Sequence, residues 1–184
     1  TLRCIPVQIR RNPSSSTYNL TSAGDSDGFL CKLNSSGNLQ WARRIGGTSG
    51  DIAFGVGTDS SKVYICGYHK SSSCYMGTYT DGTAVYLNNW GDADILVAAY
   101  YQSSGYVSWA TYKGGPEEDK AFDLAVDINS NVYVTGHYND TATFSSTVSL
   151  SAGGTASETF ACKLSSGGTL RWARSTRQKG SGTD

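Results

Sequence analysis

The chain has 184 residues, 38% of them hydrophobic, with 22 Gly, 12 Tyr and 4 Trp but only 3 Pro and 1 Met, and its formal net charge is zero. Lys and Arg are scattered or occur in short pairs such as Arg10-Arg11 and Arg43-Arg44, which excludes the basic stripe of a nucleic-acid surface. No run approaches the roughly 18 apolar residues of a membrane span. Tyr, Trp, Val and Thr suit half-buried pleated surfaces, while Gly, Ser, Asn and Asp supply turns, so an all-β protein of many short strands is expected.

In chain order, Thr1 is followed by neither a charged n-region nor an apolar h-region, so any signal peptide is expected to have been removed already. The first clear strand is Phe29, Cys31 and Leu33 alternating with Leu30 and Lys32, the period of a strand with one buried face. Asn34 to Gly37 reads as a turn, and Leu39, Trp41 and Arg43 begin the return strand. After Gly46-Gly47, residues 53–58 form a third strand, joined by a tight Asp59 to Lys62 turn to a fourth at residues 63–68.

The layout then recurs with a period of about 65 residues. Asp27 to Arg43 returns without a gap as Glu158 to Arg174, and a looser copy with one extra residue runs from Asp94 to Ala110, with Ile95 and Tyr101 read at the Phe and Leu places. Downstream of Trp41 and Trp109, Gly46-Gly47 matches Gly114-Gly115, and Asp51 and Asp119 each lie ten residues past their Trp. Asp59 matches Asp127, whose turn ends at Asn131, and Val63-Tyr-Ile-Cys-Gly67 matches Val132-Tyr-Val-Thr-Gly136. Four antiparallel strands per copy describe one propeller blade.

The string Asp-x-Phe-x-x-Lys-Leu, then Gly-x-Leu-x-Trp, Gly-Gly, an Asp before small and apolar residues, and Val-Tyr-x-x-Gly resembles the beta-propeller repeat (SBBP) family of secreted and cell-surface proteins. The resemblance covers nearly the whole chain, and implies fold far more than activity. The expected division is residues 1–24 as the tail of a preceding blade, 25–91 and 92–157 as blades with projecting loops at 70–83 and 139–147, and 158–184 as the start of another. Fewer than three blades are therefore expected, where a closed ring takes roughly four to eight. A partial propeller, completed by further blades of a longer polypeptide or by other subunits, is the reading.

Among the cysteines, Cys31 and Cys162 occupy equivalent strand positions and read as small buried hydrophobes. Cys66 and Cys74 bracket a short loop that a disulfide would close, and that bridge is expected; Cys4 lies near the Cys74 position of the preceding unit. Sequons occur at Asn19, Asn34 and Asn139, in or beside turns where a glycan is carried if the chain is secreted. Asp25 with Asp27 and Asp92 with Asp94 repeat an acidic pair before a strand. Oxygen ligands at alternate positions suit calcium, but no distal Glu completes a shell and the third copy reads Ser157-Glu158, so Asx-type turns are the expected role, with calcium the alternative.

Catalytic chemistry is not expected. His69 and His137, the only histidines, are offset by one residue in the repeat, and neither joins a nucleophile motif. Glu117-Glu118-Asp119 reads as a solvated turn, and no pair of carboxylates stands out as acid and base. Phe29, Leu33, Trp41, Trp109, Phe160, Leu164 and Trp172 read as the repeating core, with the Trp series packing between blades. The unique Trp90, with Tyr75 and Tyr79, reads as loop contacts for a ligand or partner. The expected function is a non-catalytic extracellular or cell-surface propeller serving as a structural or interaction unit of a surface layer, appendage or filament. The alternative is a lectin-like module binding glycans through those loop aromatics.

Overall fold

The computed structural model describes residues 7–10, 17–153 and 157–176. Among them every regular element is a strand, and every strand pair is antiparallel. β1 (Val7–Arg10) pairs with β2 (Thr17–Leu20), and β3 (Gly28–Leu33) with β4 (Leu39–Ile45). Next come β5 (Asp51–Thr58) and β6 (Lys62–His69), a hairpin of β7 (Ser73–Thr78) and β8 (Ala84–Asn88), and then β9 (Asp94–Tyr101) and β10 (Val107–Lys113). The pattern repeats as β11 (Lys120–Val126), β12 (Val132–Asn139), a hairpin of β13 (Thr141–Ser145) and β14 (Val148–Ser151), then β15 (Ser157–Leu164) and β16 (Leu170–Ser175).

The two complete sheets have four strands each, in the orders β10-β9-β6-β5 and β11-β12-β15-β16. This all-β arrangement of small antiparallel sheets is that of a partial propeller. The hydrogen-bonded units are out of phase with the expected 25–91 and 92–157 division. β9, beyond the boundary at 91/92, pairs with β6 before it, and the sheets change between β4 and β5 and between β10 and β11. The sequence repeat has the same period in any phase, so the copies alone cannot mark where a sheet begins.

Expected projecting loops are also packed hairpins. Cys74, Met76, Val85 and Leu87 alternate along β7 and β8 and are buried against Ile45, Ile65, Leu96, Ala98 and Tyr100. Each hairpin bonds back to the preceding sheet: Gly46 and Tyr75 exchange both backbone hydrogen bonds, as do Gly114 and Thr143. The second core lies between the two sheets, where Tyr64, Cys66, Val97 and Ala99 meet Val134, Phe160, Cys162 and Leu164. β6 and β9 are consequently covered on both faces, which is why their burial is nearly continuous rather than alternating.

Two placements in the repeat differ from those read in the sequence. Leu96 pairs with Gly67 as Phe160 pairs with Gly136, and Tyr100 pairs with Val63 as Leu164 pairs with Val132. Leu96 and Tyr100, rather than Ile95 and Tyr101, therefore hold the core places, and the extra residue falls in the turn after Tyr100. Phe29 and Leu33 are 48% and 49% exposed, while their equivalents Phe160 and Leu164 are buried. Phe160 and Leu164 are covered by the core between the two sheets and by Phe144 of the β13–β14 hairpin, whereas Phe29 and Leu33 belong to neither core among the described residues.

Candidate functional site

The junction between successive units is built from residues that the repeat places at fixed offsets. Trp41 on β4 donates its indole N–H to the Gln102 carbonyl at 2.9 Å, in the turn between β9 and β10. One unit later Trp109 on β10 donates to the Ser166 carbonyl at 2.9 Å, in the turn between β15 and β16. Glycine is required at the base of each turn. Gly105 (φ 70°) and Gly168 (φ 82°) adopt the left-handed conformation, and a Cβ there would lie 2.6 Å from the Trp41 ring or 2.7 Å from the Trp109 ring.

Cations complete the clasp. Lys32 Nζ also donates to the Gln102 carbonyl, Lys62 Nζ donates to Ser166, and the Arg43 guanidinium donates to the carbonyls of Ser104 and Gly105. Each unit thus holds the next unit's turn by its carbonyls, a mode that reads backbone shape more than side-chain identity. Trp172, Lys163 and Arg174 are the equivalents of Trp41, Lys32 and Arg43 on the outer hairpin β15–β16. Trp172 packs on Tyr133, Lys163 Nζ lies 4.9 Å from the Tyr133 ring centre, and Arg174 donates to its neighbour's carbonyl at Ala173, as Arg43 does at Ala42.

Buried carboxylates stitch the corner where one sheet passes to the next. Asp51 accepts the Gly47, Lys70 and Ser71 N–H groups and the Ser71 hydroxyl, and Asp119 accepts the Gly115 and Asn139 N–H groups. Burial pushes the Asp119 carboxyl up to about 7, against the pull of its N–H donors, and pushes Asp94 up to about 6. Asp119 is therefore no part of a solvated turn: it is fully buried, while Glu118 beside it is ion-paired with Lys120 at 2.6 Å and Lys70 at 3.6 Å. The recurrence of Asp ten residues past Trp marks this role in the sequence.

The remaining candidate residues are dispersed. Cys66 and Cys74 are free, buried thiols in different cores, so the expected bridge is not formed. Cys66 faces the second sheet, whereas Cys74 belongs to the hairpin packed on the opposite face of its own sheet. Burial pushes the Cys66 and Cys162 thiols up to about 12 and raises Cys74 as well. Cys31 is free and half-buried, and Cys4 lies outside the described residues. His69 stands opposite Asp51, and burial lowers its pKa; His137 stands opposite Lys120, one place earlier in the ladder, and packs on Phe122.

Each acidic pair is divided between solvent and interior. Asp25 and Asp92 are exposed, with Asp92 ion-paired to Lys70 at 3.0 Å. Asp27 and Asp94 turn inward and accept the N–H groups of Ala23 and Trp90, and Arg44 pairs with Asp27 at 2.9 Å. Tyr75 is a strand residue rather than a loop contact, half-buried beneath the Arg44 guanidinium and beside Tyr86. Tyr79 stands at the hairpin tip, and Trp90 is 61% exposed. Trp90 meets Tyr112 edge-on and, with Phe144 and Ser145, lines an open groove of about 390 Å³. Asn19 and Asn34 are exposed, and Asn139 is half-buried at the end of β12.

Residues 108–137, from β10 through β12, match the family model described as Beta-propeller repeat, SBBP. The chain carries an SBBP beta-propeller repeat. The matched SBBP segment contains the Trp109 donor, the Gly114-Gly115 corner and Asp119, so it spans the junction rather than one sheet. The chain is also similar to the uncharacterized WD repeat-containing protein L264 of Acanthamoeba polyphaga mimivirus, 32% identical over 139 residues. That similarity covers 73% of this chain and 10% of that protein, so the chain spans about a tenth of its relative's length. Among the described residues, no helix is long and apolar enough to cross a membrane.

Proposed function

We propose that the chain is a non-catalytic extracellular propeller segment, a structural and interaction unit of a surface assembly that adds blades head to tail. One observation carries this reading: the Trp–turn clasp, made at Trp41 and Trp109, is presented a third time by Trp172, Lys163 and Arg174 on the outer hairpin. Those residues are spaced to take the carbonyls of a further turn, from the same polypeptide or from another subunit. Sequons at exposed Asn19 and Asn34 support an extracellular site; the four described cysteines, all free, add nothing to it. Cys66 and Cys162, buried between the sheets, and His137, packed on Phe122, support a scaffold rather than an enzyme. Light scattering of the isolated chain tests the proposal. Concentration-dependent association that Trp172→Ala and Lys163→Glu abolish would support it, and a strictly monomeric chain with no affinity for a blade from the same protein would defeat it.

A lectin-like role is the second reading, favoured by the exposed Trp90 at the groove with Tyr112 and Phe144. Aromatic faces beside hydroxyl groups suit stacking on a sugar ring. Saturable binding on a glycan array that Trp90→Ala removes would establish it; an array without signal would leave assembly as the function.

A further inference from the structure

The two units fill one equivalent place differently. In the second unit, Tyr138, Ala142 and Phe144 are buried, and the Tyr138 hydroxyl donates to Glu158 at 2.9 Å. The ladders put His69 where Tyr138 stands, since His69 faces Asp94 across the sheet as Tyr138 faces Glu158. The matching Gly46–Tyr75 and Gly114–Thr143 bridges put Cys74 and Met76 where Ala142 and Phe144 stand. An apolar and hydroxyl filling has been exchanged for an imidazole, a thiol and a thioether.

The imidazole brought in by the exchange lacks a full set of partners. His69 is fully buried, and its Nε2 has no hydrogen-bond partner, nor has Asp94 Oδ1. His69 Nδ1 lies 3.3 Å from the Ser71 carbonyl. A carbonyl only accepts, so Nδ1 carries the proton and Nε2 is left with its lone pair buried. A backbone carbonyl that fixes the tautomer in this way is the usual support of a metal-binding histidine. One ligand atom from each of Asp51, His69 and Cys74 lies within 4.8 Å of the other two, and all three residues are buried.

We propose that Asp51, His69 and Cys74 bind a divalent metal ion of the zinc class at the root of the β7–β8 hairpin. Nitrogen, thiolate and carboxylate donors around one point suit a borderline-soft ion better than calcium or magnesium, which take oxygen shells. Binding releases the Cys74 thiol proton to solvent, and the Ser71 hydroxyl, the one side-chain donor among the four on Asp51, rotates off Oδ2 to admit the ion. The metal joins the end of β6, the start of β5 and the hairpin, and so locks the first unit's corner where the second unit relies on packing. The site is thus structural and specific to one unit of the repeat.

Cobalt(II) titration of the full chain, dialysed against chelator and kept reduced with a phosphine, tests this. A thiolate-to-cobalt charge-transfer band that saturates at equimolar metal and is bleached by zinc is expected, with a rise in Tm. Cys74→Ala removes the band and Cys66→Ala leaves it. The double variant His69→Tyr, Cys74→Ala, which brings in two of the second unit's three side chains and leaves Met76 at the Phe144 place, remains folded by circular dichroism and binds no metal. A folded wild-type chain without the band in excess cobalt would overturn the proposal, as would a band that survives Cys74→Ala.

Discussion

The Trp109 indole N–H and the Ser166 carbonyl meet at 2.9 Å across 57 residues of sequence, joining the last strand of one sheet to a turn of the next. Trp41 and Gln102 do the same across 61 residues. The contact is local to the junction, so its removal is felt by two units together. Trp109→Ala is expected to destabilise the chain by about 3–5 kcal/mol, combining lost burial with the cavity left behind. Trp109→Phe, which keeps much of the ring volume and loses the donor, is expected to cost about 1 kcal/mol or somewhat more. Urea unfolding midpoints at constant m-value measure both.

The glycines under the clasp separate two effects. Gly37, Gly105 and Gly168 all have positive φ, but a Cβ at Gly37 meets nothing within 4 Å, whereas at the other two it meets a Trp ring. Gly37→Ala is expected to cost roughly 1–2 kcal/mol, the left-handed penalty alone. Gly105→Ala and Gly168→Ala are expected to cost more, and to shift the fluorescence of Trp41 and Trp109. Equal losses at all three positions would show that the rings yield freely.

Stability should fall as the solution is made alkaline of about pH 4. The Asp119 carboxyl titrates at about 7 in the folded chain against an ordinary 3.8, and Asp94 at about 6. Over that window the folded chain holds more protons than the unfolded one, so each rise in pH favours unfolding. The contribution is fully present below about pH 4 and lost above about pH 7. Denaturation midpoints measured from pH 5 to pH 8 are expected to decline, and Asp119→Asn to flatten the decline while lowering stability at pH 5, since the amide offers one acceptor where the carboxyl oxygens receive two N–H groups.

Thiol accessibility follows burial. Cys66, Cys74 and Cys162 are buried and their thiols are held protonated, so alkylation of the native, metal-free chain should spare them while modifying the half-buried Cys31 first. Peptide mass spectrometry before and after unfolding reads the order. Early labelling of Cys66 would show that the two sheets separate readily.

Strands, turns and the clasp tryptophans could be read from the sequence because each carries a local pattern: Val63 to Cys66 is a run of strand-favouring residues ended by Gly67, and Asn34 to Gly37 is turn chemistry. The hairpins carried the same signal in Cys74 and Met76, and in Val85 and Leu87, but a segment outside the repeat consensus reads as an insertion whatever its period. The Cys66–Cys74 bridge failed for a different reason. Nearness along the chain says nothing about which face of a sheet each residue occupies, and that depends on a hairpin that folds back over Ile65 rather than Tyr64. Sheet membership depended on the β6–β9 pairing across the hairpin, a long-range choice with no local mark. His69 at the root of that hairpin was visible only as a histidine out of register, and its company of Asp51 and Cys74 required the fold.

The backbone bridges from Gly46 to Tyr75 and from Gly114 to Thr143 have a consequence for how such an array comes apart. Each hairpin borrows its outer partner from the unit before it, so melting one unit strips hydrogen bonds from its successor as well as exposing a face. Coupling of that kind makes disruption spread along the array from a free end, in one preferred direction, while interior units are protected by neighbours on both sides. A protease or a pulling force would then find the ends vulnerable, and resistance should grow with every unit added.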